Sequence, residues 1–263
     1  MNPLALVTGA SDGIGLEFCR LLAARGYDLI LVARRQQLLE DIAAQLMQRY
    51  NIRCHVISCD LSLPQAAQTL FTEVKQRGLA VDLLVNNAGL LCNGFFHELP
   101  LTQQENLVTV NIIALTALCH LFVNDMAVRG GGHIINLASL AAWTPIPNQN
   151  VYAATKAYVL AFSLALADEM KAAGSGVNVC ALCPGYTRTA MLDNPAQGGK
   201  LALPDFLLHS ASSVAQEGLD ACLAGRTVCM PGAANRLGAL ATRLLPRLWQ
   251  ARLMGRGYRM LQS

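Results

Sequence analysis

Tyr152 and Lys156 stand four residues apart in Tyr152-Ala153-Ala154-Thr155-Lys156. The apolar spacing around them predicts a helix over Asn150–Ala173, so both side chains share one face. A free phenol titrates near 10 and is a poor acid–base group at neutral pH. An ammonium group beside it favours the phenolate and is expected to lower that value. Such a pair can protonate an alkoxide forming from a carbonyl, or take a proton from an alcohol. Thirteen residues upstream, Ser139 follows a predicted strand, His133–Leu137, where its hydroxyl could bond the reacting oxygen. By itself the Tyr/Lys spacing recurs on many helices, and Ser139 equally suits a strand-end turn.

A second group of residues suits a nucleotide. Thr8-Gly9-Ala10-Ser11-Asp12-Gly13-Ile14-Gly15 joins a predicted strand, Leu4–Val7, to a predicted helix, Gly15–Arg25. Glycines allow a tight turn and let backbone N–H groups approach a pyrophosphate at the positive end of a helix. The spacing is G-x-x-x-G-x-G rather than G-x-G-x-x-G. The next predicted strand, Asp28–Ala33, runs into Arg34-Arg35, where a site that reads a ribose 2′-hydroxyl places Asp or Glu. Two guanidiniums suit a 2′-phosphate instead, which points to NADP rather than NAD and to Arg34 ahead of Arg35. The alternative is a pair of solvated arginines at a helix start, a position that disfavours cations. Cys59-Asp60-Leu61 follows the predicted strand Arg53–Ser58. Asp60 could cap the next helix or accept a bond from an adenine amino group.

The elements that must position these residues alternate regularly. Further helices are expected at Leu38–Tyr50, Pro64–Arg77, Thr102–Arg129 (long enough to be bent or interrupted) and Ser213–Ala224. Further strands are expected at Val81–Asn86, Val177–Leu182 and Thr227–Met230, with a loop over Pro184–Pro204. Repeated βαβ units of this kind predict one α/β domain of the Rossmann type, a doubly wound parallel sheet of about seven strands flanked by helices. These sheets bind ligands outside the carboxyl ends of their strands, and the glycine loop, Arg34, Asp60 and Ser139 all follow strands. Residues 1–232 would form this domain and 233–263 a basic amphipathic extension.

Composition narrows the class. The chain has 263 residues, of which 53% are hydrophobic and 14% charged. A core this large excludes a disulfide-held miniprotein, a disordered tail and a collagen-like fibre. The longest apolar runs, Ile112–Val123 and Ala157–Ala167, fall short of the roughly 18–20 residues that span a bilayer and read as buried helices. The start has no basic segment and does not resemble a signal peptide, so a cytoplasmic location is expected. Nine scattered cysteines suit a reducing compartment. Cys180 and Cys183 lie three apart on a strand and should point to opposite faces. The five histidines, His55, His97, His120, His133 and His209, lack ligand spacing, so no metal site is expected.

A net charge of +3 is too weak to argue for nucleic acid. Its distribution is uneven: beyond Gly225 lie seven of the 20 Lys and Arg residues and none of the 17 Asp and Glu. Between Arg236 and Arg259, Leu237, Leu240, Leu244, Leu245, Leu248, Trp249 and Leu253 recur at helical intervals, interrupted by Gly238, Pro246 and Gly255. This tail suits peripheral contact with an anionic membrane, or packing against the body or a second subunit.

Taken together with Asn86-Asn87-Ala88-Gly89, Asn111 and Pro184-Gly185, these motifs resemble the short-chain dehydrogenase/reductase family in order and spacing, over all but about the last thirty residues. The resemblance implies an NADP(H)-dependent oxidoreductase moving a hydride between nicotinamide and a carbonyl or secondary alcohol. Tyr152 would be the acid/base, and Lys156 would lower its pKa and hold the nicotinamide ribose. Ser139 would orient the substrate oxygen, and Asn111 would position a water in a proton relay to Lys156. The cofactor would lie along Gly9, Ser11, Asp12, Gly13, Ile14, Gly15, Arg34, Arg35, Asp60, Leu61, Asn87, Ala88, Gly89, Pro184, Gly185 and Thr187, with Thr189 on the carboxamide. Asn86 would steady the sheet.

One departure bears on the cofactor. Many NADP-binding members carry a base before the second glycine, and this chain has Asp12, which opposes a 2′-phosphate unless it turns to bond backbone. A homodimer or homotetramer through the two long helices is implied by the resemblance alone. The expected substrate wall is Leu90, Leu91, Cys92, Trp143, Ile146, Tyr186, Met191 and Leu192, which suits a small apolar substrate. Asn111 could also simply bridge backbone groups. The other functions weighed are a non-catalytic NADP-binding sensor or scaffold, and a lyase or epimerase. The intact Ser139/Tyr152/Lys156/Asn111 set argues against the first, and the lack of a large extra substrate domain against the second.

Overall fold

β1 (Leu4–Thr8) is buried along its whole length, as a parallel strand covered by helices on both faces must be. The computed structural model describes residues 2–193, 208–243 and 245–262. After β1 the chain alternates through α1 (Gly13–Ala24), β2 (Asp28–Ala33), α2 (Gln36–Tyr50), β3 (Cys54–Ser58), α3 (Ala66–Gln76) and β4 (Leu83–Asn86). It continues with α4 (Leu101–Val108), α5 (Leu115–Val128), β5 (Gly132–Leu137), α6 (Asn150–Ala172) and β6 (Val177–Leu182). Then come β7 (Thr187–Arg188), α7 (Ala190–Asp193), β8 (His209–Ser210), α8 (Ala211–Leu223) and β9 (Val228–Cys229). α9 (Ala233–Arg243) and α10 (Arg247–Gln262) follow.

Seven strands form one sheet in the order β3-β2-β1-β4-β5-β6-β9, and every pairing is parallel. The chain winds outward from β1 to β3, then returns to β4 and winds the other way, leaving a crevice at the carboxyl ends of β1 and β4. This is the doubly wound sheet that the alternation predicts. A second, two-stranded sheet pairs β7 with β8. The sequence suggested only a loop over Pro184–Pro204, of which residues 194–204 lie outside the described residues.

Two apolar clusters hold the layers. Leu6, Ile30, Leu84 and Ile134 point to one face, and Val7, Leu31, Val85 and Ile135 to the other. Each fully buried Leu or Ile contributes about 1.5–3 kcal/mol. A one-residue slip of any strand would exchange its faces. Cys180 belongs to one cluster and Cys183 to the other, as their spacing predicts, and all nine cysteines are free. Asn86 of β4 donates to Asn136 Oδ1 of β5 at 2.9 Å, and Asn136 donates to Ser163 Oγ of α6 at 3.0 Å. That chain of bonds ties two central strands to a covering helix.

Several boundaries shift by a residue or two from the sequence reading, and two departures have local reasons. α3 starts at Ala66 because Gln65 takes a left-handed conformation, φ 58°, so Pro64 stands outside the helix. The run expected over Thr102–Arg129 is continuous but holds a wider π turn at Thr109–Ala114, between α4 and α5. By length and composition, Leu101–Val128 and Asn150–Ala172 could each cross a membrane, since the helices outlast the apolar runs inside them. Here both pack on the sheet, with Leu118, Phe122, Val159 and Leu160 in its core.

Candidate active site

The crevice at the ends of β1 and β4 is a cleft of about 720 Å³, within the ~300–1,000 Å³ of small-molecule sites. Gly9 and Gly13 turn its rim with positive φ, 66° and 54°. Gly15 sits behind the loop, where an added Cβ would stand 2.2 Å from Gly9 O and 2.4 Å from Asn87 Nδ2. The opposite wall is fastened to this loop. Thr8 Oγ1 accepts from the backbone N–H of Asn87 and of Ala88, each at 3.0 Å. The Asn87 amide donates back to Thr8 O at 2.9 Å and Gly9 O at 3.2 Å.

Asp12 resolves its own difficulty. Its carboxylate turns onto Gly13 N at 2.6 Å and caps α1, the backbone bond that the sequence reading asks of it. Arg34 and Arg35 both line the cleft, and Arg35 donates to Ser11 Oγ at 3.2 Å. Asp60 lines it too, and its Oδ1 accepts from Ser62 N at 3.0 Å and Ser62 Oγ at 2.8 Å. Burial raises the Asp60 carboxyl, but the two Ser62 bonds and the charge of Arg34 outweigh it and hold the group below its ordinary value. Asp60 therefore closes a turn rather than capping α3, whose first residue comes six positions later. Backbone donors at the start of α1, a glycine cradle and two guanidiniums are a donor set that fits a phosphorylated dinucleotide.

Tyr152 marks the inner end. Its ring lines both this cleft and a second cavity of about 310 Å³. Ser139 lines the second cavity and caps a short helical turn by accepting from Ala141 N at 3.1 Å. Lys156 Nζ stands 5.7 Å from the Tyr152 ring centroid and donates to Leu137 O at 2.6 Å. Burial pulls this lysine down to about 8. The phenol behaves differently from the sequence expectation. Burial pushes the Tyr152 hydroxyl above 10, a hydrogen bond with Ser139 pulls it down, and the nearby Tyr186 hydroxyl adds to the rise. Desolvation sets the direction, and the lowering comes from Ser139 rather than from Lys156, whose ammonium is aimed at a backbone carbonyl.

Asn111 lies in the π turn, and its amide is fully engaged. Oδ1 accepts from Leu90 N at 2.8 Å, while Nδ2 donates to Leu90 O at 3.0 Å and Thr155 Oγ1 at 3.1 Å. The side chain therefore bridges backbone groups and fixes the strand-end loop against α6.

The smaller cavity is walled by Leu91, Trp143, Ile146, Tyr186 and Met191 as expected, and also by Leu140, Thr144 and Gln149. Leu90 lines the large cleft instead. Cys92 lines neither cavity, and the Leu192 side chain lies outside the described residues. Among the expected cofactor contacts, Ser11, Asp12, Gly13, Ile14, Leu61, Ala88, Gly89, Pro184 and Thr189 line the cleft. Gly185 and Thr187 line the smaller cavity instead. Asn235, Gly238 and Ala239 of α9 and Met254 of α10 complete its wall. Asn235 donates to Pro231 O at 2.7 Å and anchors the start of α9. The apolar periodicity of the tail was the only signal for this wall, and it does not tell pocket from membrane or subunit contact. The side chains of Leu240, Arg243, Leu244 and Arg259 lie outside the described residues.

A family model described as short chain dehydrogenase matches residues 3–198. Sulfoacetaldehyde reductase 2 of Chromohalobacter salexigens is 32% identical over 255 residues, covering 95% of this chain and 98% of that protein. Very-long-chain 3-oxoacyl-CoA reductase of Rattus norvegicus is 31% identical over 191 residues, covering 71% of this chain. This chain spans only 60% of that reductase's length. Among solved structures, a short-chain dehydrogenase from Sphingobium yanoikuyae in complex with NADPH superposes with a TM-score of 0.82 at 30% identity. The match covers 92% of this chain and 93% of that one.

Proposed function

The chain belongs to the short-chain dehydrogenase family, and from that membership we propose that it is an oxidoreductase that reduces the carbonyl of a small apolar molecule with NADPH. The observation that carries this reading is the position of Tyr152, one side chain forming a wall of both the dinucleotide cleft and the apolar cavity. When bound, the nicotinamide dinucleotide supplies the hydride. The protein's own task is to hold the carbonyl in the smaller cavity and to deliver a proton to its oxygen.

Tyr152 Oη is the donor. A phenol raised by burial stays protonated at neutral pH, and an alkoxide is far more basic than a phenolate, so the transfer runs downhill toward the alcohol. This favours the reductive direction. Ser139 Oγ bonds the same oxygen, so the carbonyl is polarised before it is protonated. Lys156, held by Leu137 O, keeps a positive charge behind the phenol and steadies the phenolate left after transfer. Preference for the 2′-phosphorylated cofactor rests on Arg34, Arg35 and Ser11, with Asp12 turned onto Gly13 N. The substrate class follows from the aromatic and aliphatic walls of the second cavity. A homo-oligomer through α5 and α6 accounts for Val128, Tyr158 and Leu164, which those helices leave exposed.

The test is Tyr152→Phe. Turnover of an apolar ketone, followed by nicotinamide absorbance, should fall at least about a thousandfold, within the range ascribed to general acids. NADPH affinity, read by fluorescence, should change little. Undiminished turnover would end the assignment.

A further inference from the structure

α10 presents two contrasting sides. At 100° per residue, Leu248, Trp249, Arg252, Leu253 and Arg256 share one arc, and all five are exposed. Leu248 is 61% accessible, Trp249 58% and Leu253 52%. Gln250 on the far side is buried, as is Gly255 at the edge of the arc beside Leu248. Leu237 of α9 adds a fourth open apolar side chain at 69%. A helix that packs only on its own domain shows polar residues outward, so this face is built for a covering surface.

Charge selects the occupant. Residues 233–262 contain six arginines and no Asp, Glu or Lys. Arg236 reaches Glu217 of α8 at 4.0 Å, while Arg252 and Arg256 stand exposed between the apolar side chains. A two-fold contact with a second copy would set this face against itself, arginine toward arginine, with no carboxylate in the segment to neutralise them. An anionic bilayer matches both properties. Leu248, Trp249 and Leu253 can enter the headgroup region, and the arginine stems lie beside them with guanidiniums on phosphates. Ala239 and Met254, on the inner side of the same two helices, line the apolar cavity.

We propose that α9 and α10 form a cap that docks on an anionic membrane, and that the cavity behind it takes its carbonyl substrate from the lipid phase. Only the second half rests on the oxidoreductase reading. The full chain should cosediment with phosphatidylglycerol–phosphatidylcholine vesicles and not with phosphatidylcholine alone. Arg252→Glu/Arg256→Glu and, separately, Trp249→Ser/Leu253→Ser should each lower that partition about tenfold or more. Both variants should reduce a water-soluble aldehyde at the wild-type rate and a vesicle-held long-chain ketone more slowly. Equal pelleting with neutral vesicles, or pelleting unchanged in both variants, would overturn docking. So would a protein that never pellets and whose subunit count falls in the variants, which would assign the face to a second copy. Pelleting needs no turnover, so a protein that binds vesicles but reduces nothing breaks the functional reading alone.

Discussion

The two cavities that meet at Tyr152 are built by different means. The large cleft is made from strand ends and the loops that leave them. Its walls are cross-fastened by backbone-directed bonds, such as Thr8 Oγ1 to the Asn87–Ala88 amides and Asn111 to Leu90. The smaller cavity borrows walls from a short helical turn, the β7 segment and the last two helices, held mostly by apolar contact. The lesson is a division of labour. Bonds to backbone leave little room for change in a site that must hold one shared ligand, whereas side-chain walls can be exchanged to suit different ones.

Substitutions should therefore act on one cavity and spare the other. Arg34→Glu should weaken NADPH by about a hundredfold, the value of losing a charge-assisted contact and adding a like charge, and should leave NADH nearly unchanged in parallel fluorescence titrations. Equal losses would remove the phosphate role. Met254→Trp should raise KM for a bulky ketone about tenfold by filling the cavity, with dinucleotide affinity untouched. A matching loss of dinucleotide affinity would show that the two cavities are not independent. The smallest effect should come from pH. Lys156 titrates near 8 and loses its charge as pH rises, so the reductive rate should decline a few-fold through that point. A Lys156→Met variant, already slow, should show no such step in the same stopped-flow profile.

The same contrast explains what could be read in advance. The seven-stranded sheet was legible because strands buried on both faces, such as Leu29–Val32, are continuous apolar runs between amphipathic helices. The glycine loop, Arg34, Asp60 and Tyr152 were legible because each sits at a fixed distance from a strand end or on one helical turn. The far wall of the smaller cavity was not. Asn235, Ala239 and Met254 reach it through the packing of α9 and α10, and nothing local distinguishes them from neighbours that face outward. The direction of the Tyr152 shift was missed for a related reason. Spacing reports that Lys156 is near, but not that burial dominates the phenol or that the ammonium points at Leu137 O.

The wide turn at Thr109–Ala114 makes the longest helix a measured object. One additional residue in a turn puts everything before it about 100° out of phase with everything after. α4 buries Gln104 and Leu107 with that offset in place. Deleting a single residue there would straighten the helix and swing those side chains a quarter-turn away from their seats, whatever amino acid was removed. Between residues 101 and 128 the number of residues is therefore a constraint in its own right, separate from their identity.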